Sequence, residues 1–408
     1  MSVVSPRPFA NPAADAAKLL ARLGLFLLLI VIPVIGVVSR RAIFVLLPVG
    51  AALLFLSVLV GHSEDGLRRL RGALLSATGL TVLFLGFWCA LSLIWTPFHL
   101  EAANRLVKGF GTALFVAVAI AFLPERTKIS NLYLLPAGVV VAAVATFVLV
   151  FVGPASFRGP DTESSMMDRS VITLVLLVWP ALGVLSLRER WAMAGALAII
   201  VTIVAVAAWT PIALAAMAAG ALTFSTSTSK PARAARQLAA IFAGFMLLAP
   251  LLPLGFALWP GPQGEAEGVT ASLLVWGDLV RNEWARLITG HGLDMATRGV
   301  AVGFLPPETP NTILFEIWYD LGIIGAVASS ILVACAFLAA GRASPGLAPF
   351  LLAGFVAVLS IMVLGLSTAQ LWWVSLVSLE AIAFALVLRG QHRVKRPAAQ
   401  TVDTPDSL

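Results

Sequence analysis

Charged residues are scarce in this chain. Of its 408 residues, 12% are Asp, Glu, Lys or Arg, whereas 60% are hydrophobic. An ordinary soluble domain has about 25% charged residues, so this chain has too few charges to cover a surface that faces water. The shortage excludes a typical soluble globular domain.

Cysteine is nearly absent, and metal-binding motifs are missing. The two cysteines, Cys89 and Cys335, both lie within apolar runs. They show neither the spacing of a metal motif nor any sign of a disulfide, and the sequence has no Asp-rich motif. We therefore expect no bound metal and no cofactor.

Long apolar runs are what the chain does contain. Runs of about 15 to 23 apolar residues recur from end to end, and about 20 suffice to cross a bilayer as a helix. A transmembrane barrel would instead show short alternating strands. We predict an all-α, polytopic integral membrane protein with about twelve transmembrane helices. The predicted spans are approximately residues 19–38, 42–60, 73–95, 106–123, 131–152, 170–187, 191–209, 211–225, 237–259, 321–340, 346–366 and 370–389. The seventh and eighth share a tight turn at Trp209–Pro211, where a single kinked or re-entrant element is the alternative.

The basic residues indicate the orientation. About two thirds of the 27 Lys and Arg residues fall in segments that lie inside if the N-terminus is cytoplasmic, as the positive-inside rule requires. The predicted parts are a cytoplasmic segment 1–18, spans one to nine within 19–259, a large outside loop 260–320, spans ten to twelve within 321–389, and a basic, disordered cytoplasmic tail 390–408. This tail suits anionic membrane lipids. Since the basic residues form no stripe with interleaved aromatics, we expect no nucleic-acid partner.

The outside loop has a helical pattern of its own. Residues 271–289 place apolar side chains at helical spacing and include Trp276 and Trp284, which predicts an amphipathic helix on the membrane surface. Gly290 and Gly292 then allow a sharp turn. A second helix is predicted to begin at Asn311.

Four arginines predicted to lie at the outer face are candidate anion ligands: Arg105, Arg158, Arg169 and Arg298. The positive-inside bias removes arginine from this face, so their presence there needs a reason. A guanidinium donates paired hydrogen bonds to phosphate oxygens, which predicts a diphosphate site. The alternative is contact with lipid headgroups or ion pairing, for example of Arg169 with Asp168.

Three side chains of the loop region are candidate catalytic bases. His291 lies between two glycines, and histidine can accept a proton near neutral pH. The alternative role for His291 is a histidine at a helix C-terminus, favoured by the helix dipole. Asp294 and Glu316 are the acidic candidates. Within the spans, Glu380 is the clear acidic group and has no evident partner, which argues against an ion-coupled carrier.

Three stretches of the chain resemble a known family. Residues 157–170 contain FRGP and DRS, residues 290–298 contain GHGLD and Arg298, and Asn311–Gly325 reads NTILFEIWYDLGIIG. Together with about twelve spans and one large late loop, they resemble the O-antigen ligase and O-antigen polymerase superfamily of bacterial envelopes. The third stretch is the most specific of them.

The resemblance implies an enzyme of lipopolysaccharide or other envelope polysaccharide biosynthesis in the bacterial inner membrane. It implies metal-independent, inverting transfer of a glycan from undecaprenyl diphosphate, or another polyprenyl diphosphate, to lipid A-core or another saccharide acceptor. The transfer would take place at the periplasmic face, where the large loop would then lie. In that family arginines hold the diphosphate, and a loop histidine just before the asparagine activates the acceptor.

The chain departs from this family pattern at three positions. Pro310 occupies the place of the loop histidine, and Ser272 and Pro211 occupy the places of two arginines. His291 could replace the missing base, with Arg158, Arg169 and Arg298 as the anion site. Alternatively, a divergent branch could use Glu316 or Asp294 as its base, or the protein could bind lipid-linked glycan without catalysis. A transporter or flippase of an envelope precursor is a further alternative.

Overall fold

The computed structural model describes residues 12–39, 42–60, 65–123, 129–152, 164–257, 268–365 and 371–390. The regular elements in these ranges are helices, which confirms the predicted all-α class. The helices are α1 Pro12–Gly36 (with a π-helical turn at Leu27–Val31), α2 Ala42–Val60, α3 Asp65–Leu74, α4 Ala77–Ser92, α5 His99–Ala121, α6 Ile129–Leu132, α7 Leu134–Val152, α8 Ser164–Ser186, α9 Trp191–Ala207, α10 Pro211–Ser227, α11 Pro231–Leu248, α12 Leu251–Ala257, α13 Val269–Asn282, α14 Met295–Ala301, α15 Ile313–Ala340, α16 Ala348–Gly365 and α17 Leu371–Leu388, with a 3-10 turn at Trp284–Leu287.

The lengths of these helices are those of a multi-pass membrane protein. Within the described ranges, seven helices are long and apolar enough to cross a bilayer, or up to eight if the bent pair α3 and α4 forms one span. The bend between α3 and α4 is 67°. Three further apolar helices, Trp191–Ala207, Pro211–Ser227 and Trp372–Leu388, are shorter than a full span.

Helix α8 lies at the centre of the bundle. In its most apolar 18-residue stretch, within Met167–Ser186, 94% of the residues are buried, and the helix packs against α7, α9, α16 and α17. A helix that is apolar on all sides is stable only when other helices surround it. Since lipid tails are as apolar as leucine, close packing rather than burial from water holds such helices together.

Small residues allow the close packing of α10 and α16. These two helices run along each other, and both contribute alanine and glycine to the contact. At Gly220, a Cβ atom would overlap the indole ring of Trp179 and lie 3.2 Å from the carbonyl oxygen of Ala353. Small side chains at helix interfaces are typical of membrane proteins for this reason.

The turn at Trp209–Pro211 separates two helices. Helix α9 ends at Ala207, and α10 begins at Pro211, where proline suits the first helical position because it needs no amide hydrogen. Trp209 has a φ of 49°, which no helix continues through. The two predicted segments on either side of this turn are therefore distinct helices.

Basic residues that were predicted to face inside gather at one end of the bundle. Arg69 and Arg389 both donate to the carbonyl oxygen of Leu123, over 3.2 and 2.6 Å. Arg188 and Arg190 lie over the ring of Tyr133, at 5.8 and 5.4 Å from its centroid. Segments that the positive-inside rule predicts to lie on the same side are thus neighbours in the structure.

A second, smaller core lies beneath the loop. Helix α13 packs on α12 and on the first turns of α15, and α15 also packs along α11. Trp276 meets Phe315 edge to face at 5.5 Å, and the indole of Trp318 donates to the carbonyl oxygen of Met246 over 2.8 Å. This packing fixes the first half of α15, on which the polar groups of the loop converge.

Candidate functional site

Helix α15 is broken near its start, at the boundary predicted between loop and span. It begins at Ile313, two residues after the predicted Asn311, with the hydroxyl of Thr312 accepting from the amide of Phe315. Gly322 has φ 64° and ψ −162°, a conformation that only glycine adopts readily. A Cβ atom there would lie 2.5 Å from the carbonyl oxygen of Ile288. Gly322 is therefore required both for the kink and for the close approach of the loop.

The kink frees backbone carbonyl groups of α15, and the loop uses them. The amide of His291 donates to the carbonyl of Tyr319 over 2.8 Å, and the amide of Gly292 donates to that of Asp320 over 2.9 Å. The indole of Trp88 donates to the carbonyl of Leu321 over 2.9 Å. A buried helix break would otherwise leave these acceptors unpaired, at a cost of about 1–3 kcal/mol each.

The glycine turn takes the sharp conformation that its sequence predicts. Gly290 and Gly292 have φ values of 73° and 99°. A Cβ atom at Gly290 would overlap the carbonyl of Asp320, and one at Gly292 would lie 2.7 Å from Thr96. The turn is thus held between α15 and the segment that precedes α5.

A network of buried charges lies beside this turn. The guanidinium of Arg105 donates to the carboxylates of Asp294 and Glu316, the second over 3.0 Å. The other oxygen of Asp294 accepts from Nε of Arg298 at 2.5 Å. The side chains of Asp294, Glu316 and Arg105 are 4%, 5% and 13% exposed, whereas that of Arg298 is 44% exposed. Arg298 is therefore the cation of the network that remains open to a ligand.

Asp320 completes the network by capping a neighbouring helix. Its carboxylate accepts from the backbone amides of Asp294 and Ala296, over 2.9 and 2.7 Å. These amides open the first turn of α14, where a helix has unpaired donors and a partial positive charge. Asp294 itself has the left-handed φ of 73° and gives no side-chain cap to α14. Asp320 supplies that cap from α15.

The network holds several elements in one arrangement. An unpaired ion in such a buried place costs several kcal/mol, and here Arg105 of α5 joins the carboxylates of Asp294 and Glu316. The partners come from α5, from the loop and from α15, so the network ties together three distant parts of the chain. The guanidinium of Arg105 is thus occupied by carboxylates of its own chain.

A second polar group, next to the network, pairs an imidazole with a carboxylate. The ring of His291 stacks on that of Tyr319, with centroids 4.0 Å apart and planes 12° apart. Its Nδ1 lies 3.1 Å from the carbonyl oxygen of Tyr319. Its Nε2 lies 2.8 Å from Oε2 of Glu283, an ion-pair distance at which the two atoms are not aligned as a hydrogen bond. The side chains of His291 and Glu283 are 17% and 41% exposed.

This pair lines a small cleft with mainly apolar and aromatic walls. The lining residues are Trp276, Leu279, Val280, Glu283, Arg286, Leu287, His291, Trp318 and Tyr319. Arg286 is exposed at its edge. The cleft therefore combines a carboxylate, an imidazole and a guanidinium with aromatic side chains.

The structure brings together most of the residues that the sequence suggested. Arg105, Asp294, Arg298 and Glu316 form one network, and His291 lies beside it. Arg169 lies elsewhere, at the start of α8, with its guanidinium carbon 5.9 Å from the ring centroid of Trp372. Arg158 lies outside the described residues.

Glu283 is the site residue that sequence reasoning missed. The predicted amphipathic helix ran to residue 289, but α13 ends at Asn282 and Glu283 has a non-helical φ of −118°. The early helix end turns this carboxylate toward the glycine turn. Its only sequence signal is an acidic residue eight positions before a histidine, which is too common to single out.

Comparison with protein families, with curated proteins and with solved structures found no match to this chain. The resemblance to the O-antigen ligase superfamily therefore remains a prediction from the motifs.

Proposed function

We propose that the protein transfers a glycan from a polyprenyl diphosphate carrier to a saccharide acceptor at the periplasmic face of a bacterial inner membrane. The observation that supports this most is the pair of Glu283 and His291 in a cleft with aromatic walls. A carboxylate and an imidazole can take the proton from a sugar hydroxyl. Trp276, Trp318 and Tyr319 belong to the smaller core, and this packed wall holds the pair in place.

The proposal includes a topology of about twelve spans with the loop 260–320 in the periplasm and both termini in the cytoplasm. It is supported by contacts between segments predicted to share a side. Thr96 donates to the carbonyl oxygen of Leu293 over 2.9 Å, and Arg105 reaches the loop and α15. The basic residues predicted to be cytoplasmic meet around Leu123 instead.

The leaving diphosphate needs positive charge near it. Arg298 and Arg286 are the exposed cations beside the network and the cleft, and Arg158 and Arg169 remain further candidates from the sequence. Guanidinium groups can stabilise a departing diphosphate electrostatically, with paired hydrogen bonds. Arg105 has a supporting role in this proposal because two carboxylates of the chain already hold it.

The test is the glycan profile of an envelope extract from a deletion strain. We expect one polysaccharide or lipopolysaccharide band to disappear and its polyprenyl-linked precursor to build up. The wild-type chain should restore the band, and His291→Ala should not. Lys108→Ala is the matched control, since Lys108 is an exposed cation on α5, and it should restore the band fully. An unchanged profile in the deletion strain would overturn the proposal.

A transporter or flippase of the same precursor is the second candidate, and Glu380 is the residue on which its activity would depend. Both carboxylate oxygens of Glu380 are buried and lack a hydrogen bond among the residues that the structure describes. Buried ionisable groups within spans often mark a transport pathway. This function predicts precursor movement across reconstituted vesicles that Glu380→Gln abolishes and that changes at His291 leave intact. A non-catalytic family member would bind the lipid-linked diphosphate without turnover.

A further inference from the structure

We infer that Glu283 is the catalytic base of the cleft and that His291 is the residue that positions it. This inference rests on the glycan transfer proposed above and assigns the proton transfer to one atom. Either residue could accept the proton while the other positions it. The contacts of each ring nitrogen and each carboxylate oxygen favour Glu283 as the acceptor.

Both nitrogens of His291 face oxygen atoms of the protein. Nδ1 lies 3.1 Å from the carbonyl oxygen of Tyr319, and Nε2 faces Oε2 of Glu283 at 2.8 Å. The ring is further held by stacking on Tyr319 and by its own amide, which donates to the same carbonyl. Since Nδ1 is bonded to the carbonyl of Tyr319 and Nε2 is buried, neither nitrogen is open to the hydroxyl group of a substrate.

Glu283 has the opposite arrangement. Its Oε2 is buried against the imidazole. Its Oε1 has no hydrogen bond within the described part of the chain, and unlike Oε2 it is not shut off from solvent. With the side chain 41% exposed, Oε1 is the oxygen that can meet a hydroxyl group in the cleft. One oxygen is thus fixed and the other is available.

The local backbone explains this position. Helix α13 ends at Asn282, and Glu283 stands between it and the 3-10 turn Trp284–Leu287. The amide of Glu283 is still bound to the carbonyl of Leu279, over 2.9 Å, so its Cα is anchored although its φ is no longer helical. A carboxylate on such an anchored residue is held more firmly than one on an open loop.

The chemical step then balances as follows. The oxygen of the acceptor hydroxyl forms a bond to the anomeric carbon of the donor glycan, and its proton passes to Oε1 of Glu283. The bond between that carbon and the diphosphate oxygen breaks, and its electron pair leaves with the polyprenyl diphosphate. Glu283 later gives the proton to water, and His291 takes no part in the transfer of the proton.

The experiment uses the full chain in lipid nanodiscs. The donor is the lipid-linked glycan extracted from the deletion strain, and the acceptor is the saccharide-bearing lipid fraction of the same strain. We expect Glu283→Gln to lower the transfer rate about 10²- to 10⁴-fold, as loss of a general base does. Glu308→Gln is the matched control, because Glu308 is an exposed carboxylate of the same loop, and its rate should stay within about twofold of wild type.

Chemical rescue separates catalysis from a structural role. Added formate should restore part of the rate to Glu283→Ala, because it can occupy the vacated place and accept the proton. Formate should not restore His291→Ala, whereas His291→Gln, which keeps a donor toward Glu283, should retain more activity than His291→Ala. A purely structural role of Glu283 would show no response to formate.

The outcomes keep the two proposals apart. If the wild-type chain itself transfers no glycan in this assay, the proposed function fails. If the wild-type chain transfers glycan and Glu283→Gln does so equally well, the inference is wrong and the proposed function stands. Rescue of His291→Ala by imidazole, together with full activity of Glu283→Gln, would make His291 the base instead.

Discussion

Two regions of the protein bury carboxyl groups in opposite ways. At the kink of α15, the carboxylates of Asp294, Glu316 and Asp320 have guanidinium or backbone amide partners. In α17, Glu380 is equally buried but has no hydrogen bond among the described residues. The first region uses charge to join separate segments of the chain, and the second gains no such contact.

The comparison matters because burial of a charge is costly unless the charge is paired. A partnered cluster can repay that cost and fix one geometry, whereas an unpaired carboxyl group only adds to it. The carboxylates near α15 therefore stabilise the arrangement of the loop against the bundle. Glu380 lowers stability, so substitutions in the two regions should have opposite effects.

The largest effect should come from removing the cation of the network. Arg105→Met leaves the buried carboxylates of Asp294 and Glu316 without their shared partner, and loss of one member of a buried ion pair costs about 3–5 kcal/mol. Thermal unfolding of the purified protein in detergent should show a large fall in melting temperature. Lys108→Met, on the exposed face of the same helix, should leave it nearly unchanged. Equal melting temperatures for both variants would contradict this role of the network.

A change at the helix break should have the next largest effect. Gly322→Ala places a Cβ atom 2.5 Å from the carbonyl oxygen of Ile288 and forces a non-glycine residue into a strained conformation, which costs about 1–3 kcal/mol before the clash is added. Gly303 also has a positive φ of 79° but open space around it. Gly303→Ala should therefore lower stability only by the cost of the strained conformation, without the clash. The same unfolding measurement can show this. A smaller loss at Gly322 than at Gly303 would mean that the loop does not pack on the break.

The same substitution at two buried glutamates should change stability in opposite directions. Glu316→Met removes one partner of Arg105 and should destabilise the protein by about 1–3 kcal/mol. Glu380→Met replaces an unpaired buried carboxyl group with an apolar side chain of similar length, and should raise stability by about 1–3 kcal/mol. Denaturation midpoints of the two variants, compared with wild type, provide the check. Destabilisation by Glu380→Met would reveal a contact that supports this carboxyl group.

The smallest change in stability is expected at Gly354, which leaves room for the side chain of Glu380. A Cβ atom at Gly354 would lie 2.7 Å from Oε1 of Glu380 and 2.8 Å from the ring of Phe384. Gly354→Ala should therefore destabilise the protein by about 1 kcal/mol, and less so when Glu380→Ala is also present. A double-mutant cycle measures this coupling. Strictly additive effects would show that Gly354 and Glu380 do not share the space.

The sequence predicted the elements well where apolar patterns decide them. The apolar runs predicted helices. The predicted start at Asn311 is two residues before the observed start of α15 at Ile313, and the predicted boundary between loop and span at residue 321 is next to the kink at Gly322. The ninth predicted span, residues 237–259, proved to be two helices, α11 and α12. Pro250 follows the end of α11 and has no amide hydrogen to donate to the carbonyl of Met246, which accepts from the indole of Trp318 instead.

The buried network could not be predicted because its members are far apart in the chain. Arg105 is 189 residues from Asp294 and 211 from Glu316, so no local pattern joins them. Glu316 and Asp320 lie one helical turn apart in the sequence, a spacing that by itself predicts a shared polar side facing water or an arginine. The tertiary packing buries both, and it alone decides that Arg105 binds Glu316 and that backbone amides bind Asp320.

The most direct test measures the polyprenyl diphosphate-linked glycan in a deletion strain by mass spectrometry, with one variant from each region. We expect the precursor to build up in the strain, to disappear when the wild-type chain or Glu380→Gln is supplied, and to persist with His291→Ala. That result would locate the transfer at the loop and the kink of α15. Clearance of the precursor by His291→Ala, with build-up only in Glu380→Gln, would contradict the account and assign the function to the membrane-buried carboxyl group.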